Sequence, residues 1–298
     1  MSDKAHWRST ELGQAKQVEL SQGKLRYFEA GAGAPIVFVH GLLVNANLWR
    51  KVVAKLAPDF RCVALDLPLG SHELPMPPLA DLSVPALADL VADAVEALGL
   101  EDVTLVGNDT GGAICQLVVT RRPERVARLV LTSCDYRDNF PPRLFSYFKP
   151  MVRIPGAITV GMAPMRLRAP RRLPIAFGWL VHEQVERQAE DSYVLPALTD
   201  ARVRTDLRKV VKGARTEFTN TAADRLHEFD RPALVAWSAD DKVFPRRDAE
   251  RLASELPNAR LEWIEGARTF SPEDQPVRLA ELIAGFVREP ARAVATDG

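Results

Sequence analysis

Histidine is scarce in this sequence, which has only five in 298 residues: His6, His40, His72, His182 and His227. The imidazole ring is the side chain that most readily gives and takes a proton near neutral pH. A catalytic site that needs such a base therefore has few candidates here. The identity of that base becomes the main question about function.

Cysteine is scarcer still, and the three that are present (Cys62, Cys115 and Cys134) show no metal-ligand spacing and lie in apolar surroundings. This pattern predicts buried free thiols, which are typical of a reducing compartment. The first residues, MSDKAHWRSTELGQAK, are polar and lack the apolar run of a signal peptide. We therefore expect a cytoplasmic protein.

Long apolar runs and net charge are also missing. No segment approaches the length of a membrane span without a charge or a proline, so we expect no stable membrane insertion. Lysine and arginine (39) balance aspartate and glutamate (39), which argues against a nucleic-acid-binding protein. A 298-residue chain with 47% hydrophobic residues is long enough for one large α/β domain, or for a core domain that carries an insertion.

Strand and helix patterns alternate along the first half of the chain and again near its end. Ser83 is positioned to cap a helix, VPALADLVADAVEAL, that stops at Gly99. Repeated βα units of this kind predict an α/β fold with a doubly wound, mostly parallel sheet and right-handed crossovers. The predicted strands are QVEL and KLRYFEA, which form an opening hairpin, followed by PIVFVH, FRCVALD, DVTLVG, ARLVLTSCD, PALVAWSADD and RLEWIEGA.

The alternation breaks between residues 136 and 229, which are rich in proline and arginine and contain helical stretches without a buried strand. Between Phe140 and Val181 there are seven basic residues and no acidic one. We therefore predict an α/β core formed by residues 1–135 and 230–298. The helical segment 136–229, called the insertion below, interrupts this core.

Residues 105–113 read LVGNDTGGA and join a predicted strand to a predicted helix. Gly107 before Asp109, and Gly111 and Gly112 after it, leave room for a sharp corner that lifts its central side chain into a cleft. A carboxylate is already ionised at neutral pH, so Asp109 needs no neighbouring base before it attacks an electrophile.

Four segments together resemble the α/β-hydrolase superfamily over nearly the whole chain. They are the strand and His-Gly turn VFVHGLLVNANLWRKV, the nucleophile elbow VGNDTGG, the acid segment LVAWSADDKVFP with Asp241 in the acid position, and the last loop and helix WIEGARTFSPEDQPVRLAELIAGFV. The aspartate at the elbow makes the chain similar to the branch that contains haloalkane dehalogenases, haloacetate dehalogenases and epoxide hydrolases. In that branch the insertion would be a cap over the active site.

The resemblance implies a reaction in two steps. The Asp109 carboxylate attacks an sp³ carbon to form an alkyl ester, and a histidine-activated water then hydrolyses this ester. The backbone N–H groups of Leu42 and Thr110 would form the oxyanion hole of the second step. The implied substrate is a small or medium, largely apolar organic molecule, and no cofactor or metal is expected.

The chain departs from this branch in its last loop, where Arg268 and Thr269 stand in place of the usual Gly-His. Threonine does not ionise near neutral pH, so the general base of the second step is missing. Halide-binding residues are missing too, because Thr110 replaces the usual tryptophan and Leu42 the frequent asparagine. Leu43 stands where epoxide hydrolases commonly have proline.

Several substitutes for the missing base remain open. His72 follows a strand at the edge where α/β sheets bind ligands, and His182 lies in the insertion, from which it could face Asp109. Alternatively, Asp241 could hold a water in the space that the small side chain of Thr269 leaves.

The neighbours of these groups are also open to more than one interpretation. Arg268 either holds Asp109 or Asp241 ionised, binds an anionic group of the substrate, or points to solvent. His40 is expected to hold the oxyanion loop rather than to act as a base. The candidate contacts with the substrate are His40, Phe148, Phe177 and Trp179.

The insertion carries four arginines in the segment MRLRAPRRLP: Arg166, Arg168, Arg171 and Arg172. They could steer anionic substrates to the site or touch a lipid surface. We favour the simpler interpretation, in which they are surface arginines with buried stems.

The leading functional hypothesis is hydrolysis through an aspartyl ester on Asp109, as in epoxide hydrolases or dehalogenases. A first alternative keeps an enzyme of this fold but uses Asp109 as an acid or base in a lyase, isomerase or cyclase reaction. A second is a non-catalytic ligand-binding protein with a relic pocket. The expected partner is a small-molecule substrate, and a homodimer is left open.

Overall fold

Eight strands form a single sheet in the computed structural model, which describes residues 8–289. The strands are β1 (Gln14–Leu20), β2 (Gly23–Ala30), β3 (Pro35–Val39), β4 (Arg61–Asp66), β5 (Val103–Asp109), β6 (Val126–Cys134), β7 (Ala233–Ser238) and β8 (Ala259–Ile264). Their order across the sheet is β1-β2-β4-β3-β5-β6-β7-β8. The pairs β1–β2 and β2–β4 are antiparallel, and all other neighbours are parallel.

The central strands are buried on both faces because their sequences are apolar without interruption. In β3, the side chains of Ile36, Val37, Phe38 and Val39 are all inaccessible to solvent. Such runs are typical of parallel strands that are covered by helices on both sides. In contrast, β1 is polar and exposed at the edge of the sheet. The doubly wound, mostly parallel sheet predicted from the sequence is confirmed.

Helices cover both faces of this sheet. The α-helices are α1 (Arg50–Leu56), α2 (Val84–Ala97), α3 (Thr110–Arg121), α4 (Phe148–Met151), α5 (Ala157–Met162), α6 (Arg168–Arg171), α7 (Arg187–Thr199), α8 (Ala201–Gly213), α9 (Thr216–Arg225), α10 (Arg246–Glu255), α11 (Ser271–Asp274) and α12 (Pro276–Arg288). The helices α2, α3 and α10 pack with Val37 and Val39 in one apolar cluster. The helices α1 and α12 pack with Ile36 and Phe38 in another, on the opposite face.

The sequence pattern predicts the opening hairpin and the start of α2 correctly, but it does not predict the hydrogen-bond partner of Ser83. The opening hairpin forms with Leu20 opposite Gly23, and the helix predicted from Val84 is α2. Ser83 has the extended backbone of an N-cap residue, but its hydroxyl donates to Asp81 at 3.1 Å and makes no bond to the helix. The predicted side-chain cap of α2 is therefore wrong.

The insertion forms helices α4 to α9 between β6 and β7, together with single helical turns. Its longer helices bury apolar side chains against the core. Tyr193 of α7 and Leu207 of α8 are fully buried, and they share an apolar cluster with Phe38 and Trp49 of the core. The insertion is thus packed onto the sheet domain rather than tethered to it by its ends.

A residue of the insertion is hydrogen-bonded to a buried ion pair of the core. An Nη2 hydrogen of Arg50, at the start of α1, is donated to Oε2 of Glu273 in α11 at 3.0 Å. The hydroxyl of Tyr193 in the insertion donates to the other carboxylate oxygen at 3.0 Å. The Arg50 and Glu273 side chains are only 2% and 3% exposed, so removing either one leaves a buried charge without its partner.

The three cysteines are free and buried, which confirms the thiols predicted from the sequence. Burial raises the pKa of Cys62 to about 12 and that of Cys115 well above its ordinary value. Reactive thiolates are therefore absent at these positions near neutral pH. Within residues 8–289 there is no helix with the length and apolar character needed to span a bilayer.

Glu273→Ala is expected to lower the free energy of unfolding by about 3 kcal/mol or more, because Arg50 keeps its charge and loses a bidentate partner. Urea unfolding measures this loss. Glu281→Ala, at an exposed position on α12, is the matched control and is expected to change stability by less than about 0.5 kcal/mol. Equal losses in the two variants would contradict the structural importance of the pair.

Candidate active site

Asp109 lies at the end of β5 in a strained backbone conformation, with φ of 54° and ψ of −132°. The helix α3 begins at the next residue. This corner is possible only because the neighbouring glycines have no side chains. A Cβ at Gly111 would lie 2.3 Å from the carbonyl oxygen of Val39, and one at Gly112 would lie 2.3 Å from Cβ of Cys134. The corner has the strand–turn–helix form that the glycine spacing predicts.

The Asp109 carboxylate lies directly against the turn that follows β3. A Cβ built on Gly41 would be only 2.4 Å from Oδ2 of Asp109. Leu43, at φ of 55°, donates its N–H to the carbonyl of Leu69 at 2.9 Å and so holds the turn in place. The Leu42 N–H therefore belongs to the segment that the carboxylate touches. Its role in an oxyanion hole, shared with the Thr110 N–H, stays a prediction.

His40 has both ring nitrogens engaged in holding this turn. Its Nε2 accepts the N–H of Leu67 at 2.9 Å, and its Nδ1 donates to the carbonyl of Gly41 at 2.9 Å. Burial lowers the pKa of His40 to about 4, so the ring is neutral under physiological conditions. His40 does not line the cavity beside Asp109, and the substrate contact considered for it has no support in this geometry.

A cavity of about 270 Å³ lies beside Asp109, between the sheet and the insertion. Its wall is mainly apolar, and the insertion supplies most of it. The wall includes Leu42, Leu43, Val84, Asp109 and Thr110 of the core and, from the insertion, Phe145, Tyr147, Phe148, Lys149, Met151, Met162, Met165, Ile175, Phe177, Leu180 and Tyr193. Phe148 and Phe177 thus lie at the predicted position. Trp179 does not line this cavity, because it borders a more open neighbouring cleft together with Asp241.

The environment of Asp109 disfavours its charged form. Burial raises the pKa of Asp109 to about 7, opposed in part by the N–H of Thr110, and the charge of Asp241 raises it further. The protonated form of the carboxyl group is therefore favoured more strongly than in an exposed aspartate. The sequence-based expectation of an ionised carboxylate used the pKa of an exposed aspartate and did not include this burial.

A second carboxyl group, Asp135, lies close to Asp109 and was not identified from the sequence. The hydroxyl of Thr110 donates to Oδ2 of Asp135 at 2.9 Å and lies 3.5 Å from Oδ1 of Asp109. Burial, followed by the charge of Asp109, raises the pKa of Asp135 well above its ordinary value. Asp135 directly follows β6, the neighbour of β5, and this position at a strand's carboxyl end was the signal that could have revealed it.

Asp241 and Thr269 are hydrogen-bonded where the family would place an acid and a histidine. Oδ1 of Asp241 accepts the Thr269 hydroxyl at 3.0 Å and the N–H groups of Val243 and Phe244 at 2.7 and 2.8 Å. Its Oδ2 is buried without a hydrogen-bond partner among the described residues. Burial raises the pKa of Asp241, although these donors and the nearby Ser133 hydroxyl oppose the shift.

The carbonyl of Thr269 accepts a hydrogen bond from the side chain of Asn108, the residue before Asp109, at 2.8 Å. The last loop is therefore attached directly to the elbow. Thr269 is fully buried, and its hydroxyl is hydrogen-bonded to Asp241. Its correspondence to the family's histidine stays a prediction.

Arg268 contacts neither Asp109 nor Asp241. Its guanidinium donates to the backbone carbonyls of Gly178 and Val181 in the insertion, both at 2.8 Å. The sequence-based interpretations, in which Arg268 holds a carboxylate, binds a substrate anion or points to solvent, are not supported by this position. The partners of Arg268 are backbone carbonyls, and the sequence gives no sign of which backbone carbonyls a side chain will reach.

The two histidines considered as substitute bases are engaged elsewhere. Nε2 of His72 lies 3.1 Å from Oδ2 of Asp206 in α8, and both side chains are buried. Nε2 of His182 lies 3.0 Å from Oδ2 of Asp240, with the His182 side chain 35% exposed. Neither histidine lines the cavity beside Asp109. His227 is exposed, and His6 lies outside the described residues.

The groups that set the pKa values of Asp109 and Asp135 include no positive charge. In the range 8–289, no cluster of three or more histidine, cysteine or acidic side chains has an arrangement that could hold a metal ion. The site therefore consists of the buried carboxyl groups of Asp109, Asp135 and Asp241. Hydroxyl groups donate hydrogen bonds to Asp135 and Asp241, and the charge of one carboxyl group raises the pKa of another. The site can supply a nucleophile, a proton donor or a proton acceptor, according to which groups are ionised.

Comparison with known proteins agrees with this fold. Residues 34–276 match the α/β-hydrolase fold family. An uncharacterized protein of Mycobacterium tuberculosis is 32% identical over 282 residues, which cover 88% of this chain and 78% of that protein. Haloalkane dehalogenase 2 of the same organism is 26% identical over 274 residues, covering 91% and 93% of the two chains.

Similarity to solved structures extends to enzymes of another reaction class. The carboxylesterase CesB of Bacillus subtilis superposes with a TM-score of 0.76 at 20% identity, and the match covers 96% of each chain. Identity at this level shows a shared fold and does not transfer an activity. The reaction has to be inferred from the site itself.

Asp109→Asn is expected to raise the free energy of unfolding by an amount that grows with pH between about 4 and about 7. The folded-state pKa is raised to about 7 from an ordinary value of 3.8, so the unfolded chain releases this proton first as the pH rises. The wild-type protein therefore loses up to about 1.4 kcal/mol of stability per pH unit in this interval, and asparagine removes the loss.

Urea unfolding of both proteins at a series of pH values measures this difference. Asp230→Asn, at an exposed position, is the control and is expected to leave stability nearly unchanged at every pH. A difference between wild type and Asp109→Asn that does not vary with pH would contradict the raised pKa.

Proposed function

The chain belongs to the α/β-hydrolase fold family, and we propose that it is a hydrolase that forms an alkyl ester on Asp109. The observation that carries the proposal is the position of the Asp109 carboxylate. It is raised on a strained corner, it lies against the Gly41 turn, and it faces an enclosed apolar cavity. The substrate is a small or medium apolar molecule with an electrophilic sp³ carbon, such as an epoxide or an alkyl halide.

In the first step, the ionised carboxylate of Asp109 attacks the carbon, and the bond from carbon to the leaving oxygen or halide breaks. A carboxylate that is stripped of water is a stronger nucleophile than a solvated one, so burial favours the attack once the group is ionised. Lys149 of the insertion lines the cavity. Its ammonium group is our candidate for neutralising the charge that develops on the leaving group.

In the second step, water adds to the carbonyl carbon of the ester and the bond from that carbon to the alkoxy oxygen breaks, which releases the alcohol product and regenerates the carboxyl group of Asp109. We assign the activation of this water to Asp241, because its charge acts on Asp109 and three donors hold its Oδ1, while Oδ2 is buried with only the Ser133 hydroxyl nearby among the described residues. Burial raises the pKa of Asp241 and so makes it a better base than an exposed carboxylate. Because no imidazole of residues 8–289 lies beside Asp241 to share this task, we expect the second step to be slow.

One alternative is supported by a specific observation. A pKa of about 7 allows Asp109 to donate and accept protons at neutral pH, as a lyase or isomerase would require. Such an enzyme turns over its substrate without forming a covalent bond to Asp109. The mass of the protein after reaction therefore separates the two mechanisms.

Incubation with reactive epoxides or alkyl halides is expected to leave a covalent adduct on Asp109, because ester formation needs no base and ester hydrolysis lacks its histidine. Intact-protein mass spectrometry and peptide mapping detect the adduct. Its rate of formation is expected to rise as the pH passes through about 7 and to level off above, since only ionised Asp109 attacks.

Asp109→Asn is the control for this experiment, because the amide keeps the shape of the side chain and removes the nucleophile. It is expected to form no adduct at this position. Turnover of a substrate without any adduct would favour the acid–base alternative. Neither adduct nor turnover with either reagent class would argue against a hydrolase of this type.

Thr269→His is expected to restore a fast second step, because the new imidazole would lie beside Asp241 on the loop that Asn108 attaches to the elbow. The adduct should then disappear with time, and turnover is expected to increase by about 100-fold or more. Thr269→Val, which removes the hydroxyl without adding a base, is the matched control. An adduct of equal lifetime in Thr269→His would contradict the assignment of this position.

A further inference from the structure

Exposed apolar side chains are concentrated on one stretch of the insertion. Of the nine large hydrophobic side chains that are exposed within residues 8–289, seven lie between residues 147 and 179. They are Tyr147, Ile154, Val160, Leu167, Leu173, Ile175 and Trp179, with exposed fractions from 37% to 74%. This density is unusual for a surface that meets only water, on which large apolar side chains occur singly. We call this stretch, residues 147–179, the apolar face.

The same stretch carries positive charge that the protein does not neutralise. Arg168 and Arg171 pair with Glu190 in α7. Arg153, Arg166 and Arg172 are exposed, and none of them forms an ion pair with a carboxylate among the described residues. No acidic residue occurs between Phe140 and Val181, so the carboxylates that pair with this stretch, Glu190 and Asp191, come from α7 and contact Arg168 and Arg171.

Part of the apolar face is also the outer wall of the cavity beside Asp109, although Trp179 borders the neighbouring cleft. Tyr147 is 37% exposed and Ile175 is 48% exposed, and both line that cavity. Gly161 and Met165 line it too, on the short helical turns between them. An apolar molecule that enters the cavity from this side would therefore cross the apolar face first.

We propose that the apolar face docks on the surface of an anionic lipid bilayer, from which the apolar substrate enters the cavity. The exposed apolar side chains would lie at the boundary between head groups and acyl chains, and the three unpaired guanidinium groups would bind lipid phosphates. Docking of this kind needs no membrane-spanning helix. Only the statement about substrate entry depends on the function proposed above.

Charge complementarity favours a bilayer over a second copy of this chain. In a dimer formed through the apolar face, Arg153, Arg166 and Arg172 of one copy would lie close to the same three arginines of the second copy. No carboxylate lies within this stretch to pair with them, and like charges that are desolvated together oppose association. An anionic head-group layer supplies the missing negative charge.

The test is sedimentation of the full chain with vesicles of phosphatidylcholine alone or with about 30% phosphatidylserine, at low and at high salt. Binding is expected to the anionic vesicles, at least about tenfold tighter than to the neutral ones, and to weaken at high salt because the charges are screened. No binding to anionic vesicles at low salt would overturn the proposal, as would equal binding to both kinds of vesicle.

Two double variants separate the contributions, and each has a matched control. Arg153→Gln with Arg166→Gln, and Ile154→Ser with Leu167→Ser, are each expected to weaken binding to anionic vesicles by about tenfold or more. Arg247→Gln and the pair Leu79→Ser with Val277→Ser change exposed residues outside the face and are expected to have little effect. Equal effects inside and outside the face would overturn the proposal, and so would a dimer that only the face variants dissociate.

The outcome is independent of the chemistry at Asp109. Asp109→Asn is expected to bind vesicles like the wild type, and the adduct experiment in solution does not require the face. Vesicle binding without any adduct would therefore leave the docking proposal standing while the proposed hydrolysis fails. An adduct without vesicle binding would support the proposed hydrolysis and overturn the docking proposal.

Discussion

Burial of the Asp109 carboxylate without a counter-charge is the constraint on which the rest of this site depends. The strained corner at the end of β5 places the group against the Gly41 turn, where it is removed from water. Thr269 gives its hydroxyl hydrogen to Asp241, and no positive charge among the described residues contributes to the pKa of Asp109. Burial therefore raises the pKa of Asp109 to about 7 and favours its protonated form.

This constraint links the three carboxyl groups to one another. The charge of Asp109 is one cause of the raised pKa of Asp135, after burial, and the Thr110 hydroxyl lies between the two groups. The charge of Asp241 in turn contributes to the raised pKa of Asp109. A change in the ionisation of one of these carboxyl groups is therefore expected to shift the pKa of its neighbour.

Features that are determined within a few residues of one another could be predicted from the sequence. The glycines around Asp109 indicated the sharp corner, and uninterrupted apolar runs indicated the central strands. Partners that are distant in sequence could not be predicted. His72 meets Asp206 across 134 positions, and Arg268 meets the carbonyl of Gly178 across 90. The protonation of Asp109 was equally hidden, because it depends on burial in the folded chain rather than on residue type.

The last loop has a mechanical consequence for access to the cavity. Arg268 binds the carbonyls of Gly178 and Val181, the N–H of Phe270 donates to the carbonyl of Leu180 at 2.8 Å, and the N–H of His182 donates to Asp274 at 3.0 Å. These hydrogen bonds attach residues 178–182 of the insertion to the last loop, in addition to the contacts that Tyr193 and Asp206 make with the core elsewhere. Leu180 lies in this attached segment and lines the cavity. A change in the conformation of the last loop would therefore alter the wall of the cavity directly.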